Sequence, residues 1–175
     1  MLKLRAVTTA SLLLIAIAVG CSSLDQITPP EMPLLTAIDQ DNLVVVKKHI
    51  EYGTDLNEEY IPEPFPFEGA GALHLAVLKN NADIVNALIE GGADINLRSK
   101  DESQSTPLMW ASFWAIPEMV QLLVEAGASL SDTDSYGSNA LMTAYAENPF
   151  VMVGDLQKFK ENRTTIIEYL SQREG

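Results

Sequence analysis

The chain has 175 residues, with eleven Lys and Arg against twenty-four Asp and Glu, for a formal net charge of −13. That length suits one domain with an appendage, and the carboxylate surplus argues against nucleic acid and anionic lipid surfaces, whose phosphates need Lys/Arg neutralisation. A single cysteine excludes an intramolecular disulfide and any Cys-rich metal site.

In chain order, Met1–Arg5 is a short basic stretch, and Ala6–Gly20 follows with an unbroken apolar run from Leu12 to Val19. Spanning a bilayer takes about 20 apolar residues, so this segment reads as a secretory leader. Lys3 and Arg5 are the only charged residues before Cys21, so residues 21–175 carry nine basic against twenty-four acidic groups, or −15. The leader ends in Ala18-Val19-Gly20-Cys21. This resembles the lipobox of bacterial lipoprotein precursors, with Ala18 standing where Leu is commoner. The resemblance implies cleavage before Cys21, lipid attachment to its sulfur and a membrane-held mature chain, since several acyl chains anchor far more firmly than one. Ser22 resembles the sorting residue for the outer membrane, facing the periplasm, in a Gram-negative envelope. Ser22–Pro33 (SSLDQITPPEMP) is polar and Pro-containing, as a tether should be. The layout expected is a lipoprotein signal peptide over 1–20, a lipid-anchored tether over 21–32 and a folded domain over 33–175.

That domain repeats itself. EYGTDLN from Glu51, EGGADIN from Glu90 and EAGASLS from Glu125 align on Gly53, Gly92 and Gly127. Before each lies an apolar-periodic run: Leu43–Ile50, Ile84–Ile89 and Met119–Val124. Earlier still come Leu34–Ile38, Leu73–Leu78 and Leu108–Phe113. Each unit predicts helix, short turn, helix, Gly stop and loop, the glycine supplying the positive φ that ends a helix without steric cost. Asp41 or Asn42, Asn81 and Thr164 sit where second-helix caps are expected, with Pro117 near a first turn. Gly175 falls near the register of a further glycine stop.

Gly71-Ala72-Leu73-His74-Leu75-Ala76 and Thr106-Pro107-Leu108-Met109-Trp110-Ala111 open the second and third units. They resemble the T-P-L-H-x-A opening of ankyrin repeats, a unit of about 33 residues. A first unit opens at Pro33-Leu34-Leu35-Thr36-Ala37, and a fourth at Tyr136-Gly137-Ser138-Asn139-Ala140-Leu141, its second helix resuming at Thr164–Leu170. The expected fold is all-α, an ankyrin-repeat solenoid of about four helix-turn-helix units with hairpin-like loops. Stacking predicts a core of Leu34, Leu73, Leu108 and Leu141 on first helices, with Val45, Ile84, Met119 and Ile166 on second helices. Ala37, Ala76, Ala111 and Ala144 let neighbouring helices approach. Lys47, Lys48, His49 and Glu51 are expected on a solvated end face. Two segments depart from the repeat: Glu58–Gly69 (EEYIPEPFPFEG), and about Phe150–Arg163 inside the fourth unit. Insertions in a solenoid go to exposed loops, as contact surfaces or as tolerated length.

The resemblance implies that His74 ties neighbouring turns together by hydrogen bonds, although the preceding Thr and Pro of the motif are Gly71 and Ala72 here. No Ser/His/Asp set, His/Cys metal spacing or phosphate-binding loop is present, and Asp132–Asp134 lacks the later Glu of an EF-hand. No catalytic residue, metal ligand or cofactor is therefore assigned, and an unrecognised hydrolase is the remote alternative. Surface recognition remains. The resemblance to ankyrin repeats implies a concave face made of the loop tips and a pair of residues late in each first helix, which by register are Asp39-Gln40, Leu78-Lys79, Phe113-Trp114 and Ala146-Glu147. Trp110, Phe113 and Trp114 recur at helical spacing and are expected to be partly exposed, because Leu108, Ala111 and Ser112 take the inward positions. Tyr60, Phe65 and Phe67 on the first insertion and Tyr136 on a loop tip enlarge the surface, since aromatics favour interface centres. The acidic surround of Asp39, Glu58, Glu59, Glu63, Glu68, Asp101, Glu102, Asp132 and Asp134 predicts a protein partner with a basic surface, bound by a monomeric chain. Envelope ankyrin lipoproteins resemble two groups. One comprises immunity proteins that block secreted antibacterial toxins, the favoured expectation here; the other comprises periplasmic scaffolds that support an envelope or oxidative-stress enzyme.

Overall fold

A computed structural model describes residues 28–151 and 155–173. The expected signal peptide over 1–20, Cys21 and Gly175 lie outside those residues. The helices are α1 (Leu34–Asp39), α2 (Leu43–Tyr52), α3 (Ala72–Leu78), α4 (Ala82–Glu90), α5 (Pro107–Phe113), α6 (Pro117–Glu125), α7 (Ala140–Tyr145) and α8 (Leu156–Ser171). Among the described residues there is no strand, only an isolated antiparallel bridge between Tyr60 and Gly71. Nor is any described helix long and apolar enough to cross a membrane.

Local chemistry sets each boundary. Asn42, Asn81, Thr106 and Asn139 accept the backbone N–H three residues on, satisfying one orphan donor at each helix start. Pro107 and Pro117 occupy first-turn positions, where a missing N–H costs nothing. At the other end, Gly53, Gly92 and Gly127 take φ of 83°, 95° and 96°, the left-handed geometry that closes a helix.

The four pairs stack in sequence order. First helices lie side by side from α1 through α3 and α5 to α7, with α2 against α4 and α6 against α8 behind them. Leu34, Leu73, Leu108, Ile84, Met119 and Ile166 are buried as expected, and so are Ala37, Ala76, Ala111 and Ala144. The register differs at two places. Val46, not Val45, is the buried valine of α2, and Leu141 is half-exposed while Ala140 and Ala144 fill the interior of α7. The short α7 meets α5 on one side and α8 on the other, and the alanines admit that close approach.

Three further expectations need correction. His49 is buried at 7 % exposure rather than solvated. Its Nδ1 pairs with the Thr54 hydroxyl at 2.9 Å and its Nε2 with the Met32 carbonyl at 2.8 Å, so it pins the chain entering the first unit. Thr164 does not cap the last helix. It lies inside α8, its hydroxyl donating to the Lys160 carbonyl. The second insertion is accordingly not all loop, because residues 156–163 form the first two turns of α8. QKFKEN carries strong helix formers, and helix is the cheaper conformation once Ile166 and Leu170 are buried.

Candidate functional site

The site is built on the C-terminal ends of the first helices. Thr106 and Pro107 start α5 so that Leu108, Ala111 and Ser112 face inward, all buried. Trp110, Phe113 and Trp114 then emerge on the concave side. Trp110 is more enclosed than expected, at 9 % exposure, because three groups cover it. The His74 ring meets it edge-on at 5.3 Å, Phe67 at 6.2 Å, and Met109 lies beside it on the cavity wall. Phe113 and Trp114 are half-buried and meet edge to face at 5.5 Å. Such tilted contacts suit the aromatic quadrupole.

The first insertion folds back to form the opposite wall. The Ile61 N–H donates to the Ala70 carbonyl and the Gly69 N–H to the Ile61 carbonyl, while the Lys100 N–H donates to the Gly69 carbonyl across the repeat boundary. Gly69 has φ +78°, and a Cβ there would lie 2.5 Å from the Asp101 backbone nitrogen. Only glycine fits that approach. Phe67 is thereby held 5.7 Å from Trp114, nearly perpendicular to it. From the fourth unit, Phe150 packs on Trp114 at 5.9 Å. Two insertions thus converge on one indole.

Between these walls lies a cavity of about 480 Å³, lined by Phe67, Met109, Trp110, Phe113, Trp114 and Tyr136 among others. Glu68, Asp101 and Asp134 are the charged residues of its lining, and no Lys or Arg is among them. Their placement is fixed by turn chemistry. Asp101 Oδ1 accepts from the Ser99 and Ser103 hydroxyls and from the Ser103 and Gln104 N–H groups, and Asp134 Oδ1 accepts from the Tyr136 and Ser138 N–H groups. A second groove adjoins the first and shares Phe67 and Trp114 with it; Phe65, Leu78 and Lys79 line this one. Lys79 there bridges to Asp39 at 3.5 Å and to Asp41 at 3.9 Å.

Of the nine sequence-predicted contact residues, five therefore share the cavity: Phe67, Trp110, Phe113, Trp114 and Tyr136. Leu78, Lys79 and Phe65 lie in the adjoining groove. Tyr60 joins neither. It lines a separate crevice, with the Lys100 ammonium 3.7 Å above its ring. Phe150 was missed by sequence reasoning, being hidden in a segment read for its length. The Asn148-Pro149 turn before it was the available signal: the Asn148 side chain donates to the Phe113 carbonyl at 3.0 Å and delivers Phe150 to Trp114.

His74 lies beneath the cavity as a structural tie. Its ring Nδ1 accepts from the Gly71 N–H at 3.3 Å and its Nε2 donates to the Ser105 carbonyl at 3.0 Å, linking the second and third units. Gly71 thus supplies the partner that the missing Thr of the motif left open. Burial lowers its pKa from 6.5 to about 4, with the Ser105 carbonyl and the Asp101 charge pulling weakly the other way. Asn57 and Asn96 do related work at the tips. Each side-chain oxygen accepts from the next unit's backbone, at Asp94 (2.8 Å) and Ser129 (2.9 Å). Among the described residues no three His, Cys, Asp or Glu come together to hold a metal.

Comparison with known proteins agrees with this geometry. A family model described as "Ankyrin repeats (3 copies)" matches residues 34–134 and 73–153. The chain is 33% identical over 126 residues to a palmitoyltransferase AKR1 of Lachancea kluyveri, covering 69% of this chain and 16% of that protein. It is also 33% identical over 114 residues to the Homo sapiens ankyrin repeat and SOCS box protein 6, covering 63% of this chain and 25% of that protein. The chain thus spans a quarter or less of these relatives. Among solved structures, the ankyrin repeat domain of Bcl-3 superposes with a TM-score of 0.60 at 22% identity, over 79% of this chain and 50% of that one.

Proposed function

The chain belongs to the ankyrin-repeat family, and from that premise we propose that it is a non-catalytic, membrane-tethered module that binds a protein through its concave face. Stacked repeats present an extended concave surface whose loops and helix ends are free to vary. The observation that carries the reading is the aromatic cavity on that face, lined by three carboxylates and walled on one side by the first departure from the repeat, with Phe150 of the second packed on its Trp114. Interface energy concentrates in aromatic anchors and the pockets they form, and a partner with a basic surface suits both those carboxylates and the net charge of −13.

Tethering rests on the leader alone, since the family match begins at residue 34. With Cys21 lipidated, the module stands on a bacterial envelope, facing the periplasm from the outer membrane in a Gram-negative host. The role proposed there is immunity: stoichiometric blocking of a secreted antibacterial toxin as it arrives. Cys21→Ala is expected to release the mature domain from membrane fractions. If the variant sediments with membranes as wild type does, the anchor is refuted.

The binding claim is tested with Ser22–Gly175 as bait in envelope extract and culture supernatant. One stoichiometric protein should be captured by wild type and lost from a folded Phe113→Ala/Trp114→Ala variant. Equal capture by the variant refutes the concave face. Activity of the captured protein decides the role, because inhibition by the bait means immunity and enhancement means a scaffold for an envelope enzyme.

A further inference from the structure

We propose that the cavity between Phe67 and Trp114 is a receptor for one arginine side chain of the bound protein, an inference that rests on the concave-face reading above. Its walls are π-systems: Trp110, Trp114, Phe113 and Phe67. Aromatic faces attract cations through their quadrupole, Trp most strongly, and the effect grows where water is excluded. Three carboxylates complete the lining, Glu68, Asp101 and Asp134.

The combination discriminates between occupants. An apolar side chain would satisfy the walls while burying carboxylates without a counter-charge, which costs free energy. An anion meets three like charges. A cation with a flat apolar face satisfies both, and guanidinium is that group, being planar, weakly hydrated, able to stack on indole and forked to match a carboxylate. An ammonium is a compact, strongly hydrated point charge with no face to stack.

The chain's own neighbouring cations are committed elsewhere. Arg98 donates to the Gln104 and Thr133 carbonyls, at 3.0 and 2.7 Å. Lys100 lies over Tyr60 and pairs with Glu58 at 3.5 Å. A volume of about 480 Å³ falls in the range of small-molecule pockets, room for one long side chain and the backbone that carries it.

Trp110 and Trp114 are the only tryptophans of the chain, so tryptophan emission reports on this cavity and on the groove that shares Trp114. The experiment titrates the full chain, in non-ionic detergent, with acetyl-Gly-Arg-Gly-amide, using lysine, leucine and citrulline counterparts as competitors for the assignment. Citrulline keeps the shape of arginine and removes its charge. The arginine peptide should change the emission saturably, weaken with added salt, and bind about tenfold more tightly than the citrulline or leucine peptides. Glu68→Gln, at an exposed position, and Asp134→Asn should each raise its Kd about threefold. Absence of a saturable change, equal binding by the citrulline, leucine or lysine peptide, or unchanged affinity in both variants would overturn the proposal.

Failure here and failure of the binding-module reading are separable. Capture that is lost in Phe113→Ala/Trp114→Ala, without any arginine response, leaves the concave face standing and removes only this occupant. An arginine response without capture refutes the module reading while the receptor survives.

Discussion

The two insertions each send a phenylalanine to Trp114, yet they are held in place by different means. Glu58–Gly69 is rich in Pro and aromatics and forms no helix; backbone hydrogen bonds and one glycine fasten it to the next repeat. The segment after Asn148 begins apolar, carries the helix formers of QKFKEN and ends in helix, fastened by side chains that reach the ends of shorter helices. Asn148 donates to the Phe113 carbonyl, Asn162 to the Ala115 carbonyl, and Arg163 to those of Ala144 and Tyr145. The Phe113, Ala144 and Tyr145 carbonyls are orphan acceptors at the C-termini of α5 and α7, and that of Ala115 lies in the turn to α6. The first insertion is therefore a rigid wall that depends on a single backbone approach, while the second spreads its attachment over several replaceable bonds. Exposure follows suit, at 45 % for Phe67 and 68 % for Phe150.

The comparison breaks most sharply at Gly69. Gly69→Ala puts a Cβ against backbone at 2.5 Å in a left-handed conformation and should cost about 2–4 kcal/mol, read as a lowered urea midpoint. Arg163→Ala should cost about 1–2 kcal/mol, because each carbonyl it leaves can turn to water. If the Arg163 variant is the less stable of the two, the assignment of rigid and distributed attachment is reversed.

Protonation of His74 acts beneath the first wall. Its folded pKa lies below the unfolded value, so unfolded chains bind the extra proton between pH 6.5 and about 4. Stability is full above pH 6.5 and falls as pH drops through that window, by about 2 kcal/mol at pH 5. Urea midpoints at pH 7.5 and pH 5 should show that loss in wild type beyond the loss in His74→Gln. Equal losses would mean that other groups carry the pH dependence.

The smallest contrast lies between the two phenylalanines. Phe67→Ala should destabilise by about 1 kcal/mol and shift tryptophan emission to the red as the cavity opens. Phe150→Ala should stay within about 0.5 kcal/mol. A larger emission shift from Phe150→Ala would make the fourth unit the main cover of Trp114.

The stack was legible from the chain because a repeat states its pattern several times over. Leu34, Leu73 and Leu108 occupy one register, the glycine stops another, and agreement among units corrects noise in any one of them. Single-copy features lacked that check. Val45 and Val46 are neighbours of equal hydropathy, and only the packing of α2 against α1 and α4 selects Val46 for burial. His49 looked like part of a charged run, whereas its burial depends on Met32, seventeen residues away. Trp110 was taken for a surface aromatic because nothing local shows that Phe67, forty-three positions earlier, returns to cover it.

Periodicity, caps and helix-ending glycines determined the helix pairs of the four-unit solenoid, because they act within a turn or two of chain; the concave pairs followed only from the resemblance to ankyrin repeats. The cavity was decided by tertiary structure. One wall is α5 of the repeat stack and the other a segment with no repeat partner, held by the Lys100 N–H on the Gly69 carbonyl, while the Asn148 side chain on Phe113 brings Phe150 against Trp114. Local sequence sets conformation through short-range sterics and hydrogen bonds, but where an insertion comes to rest depends on the shape of the surface it meets, and that surface exists only once the repeats have stacked.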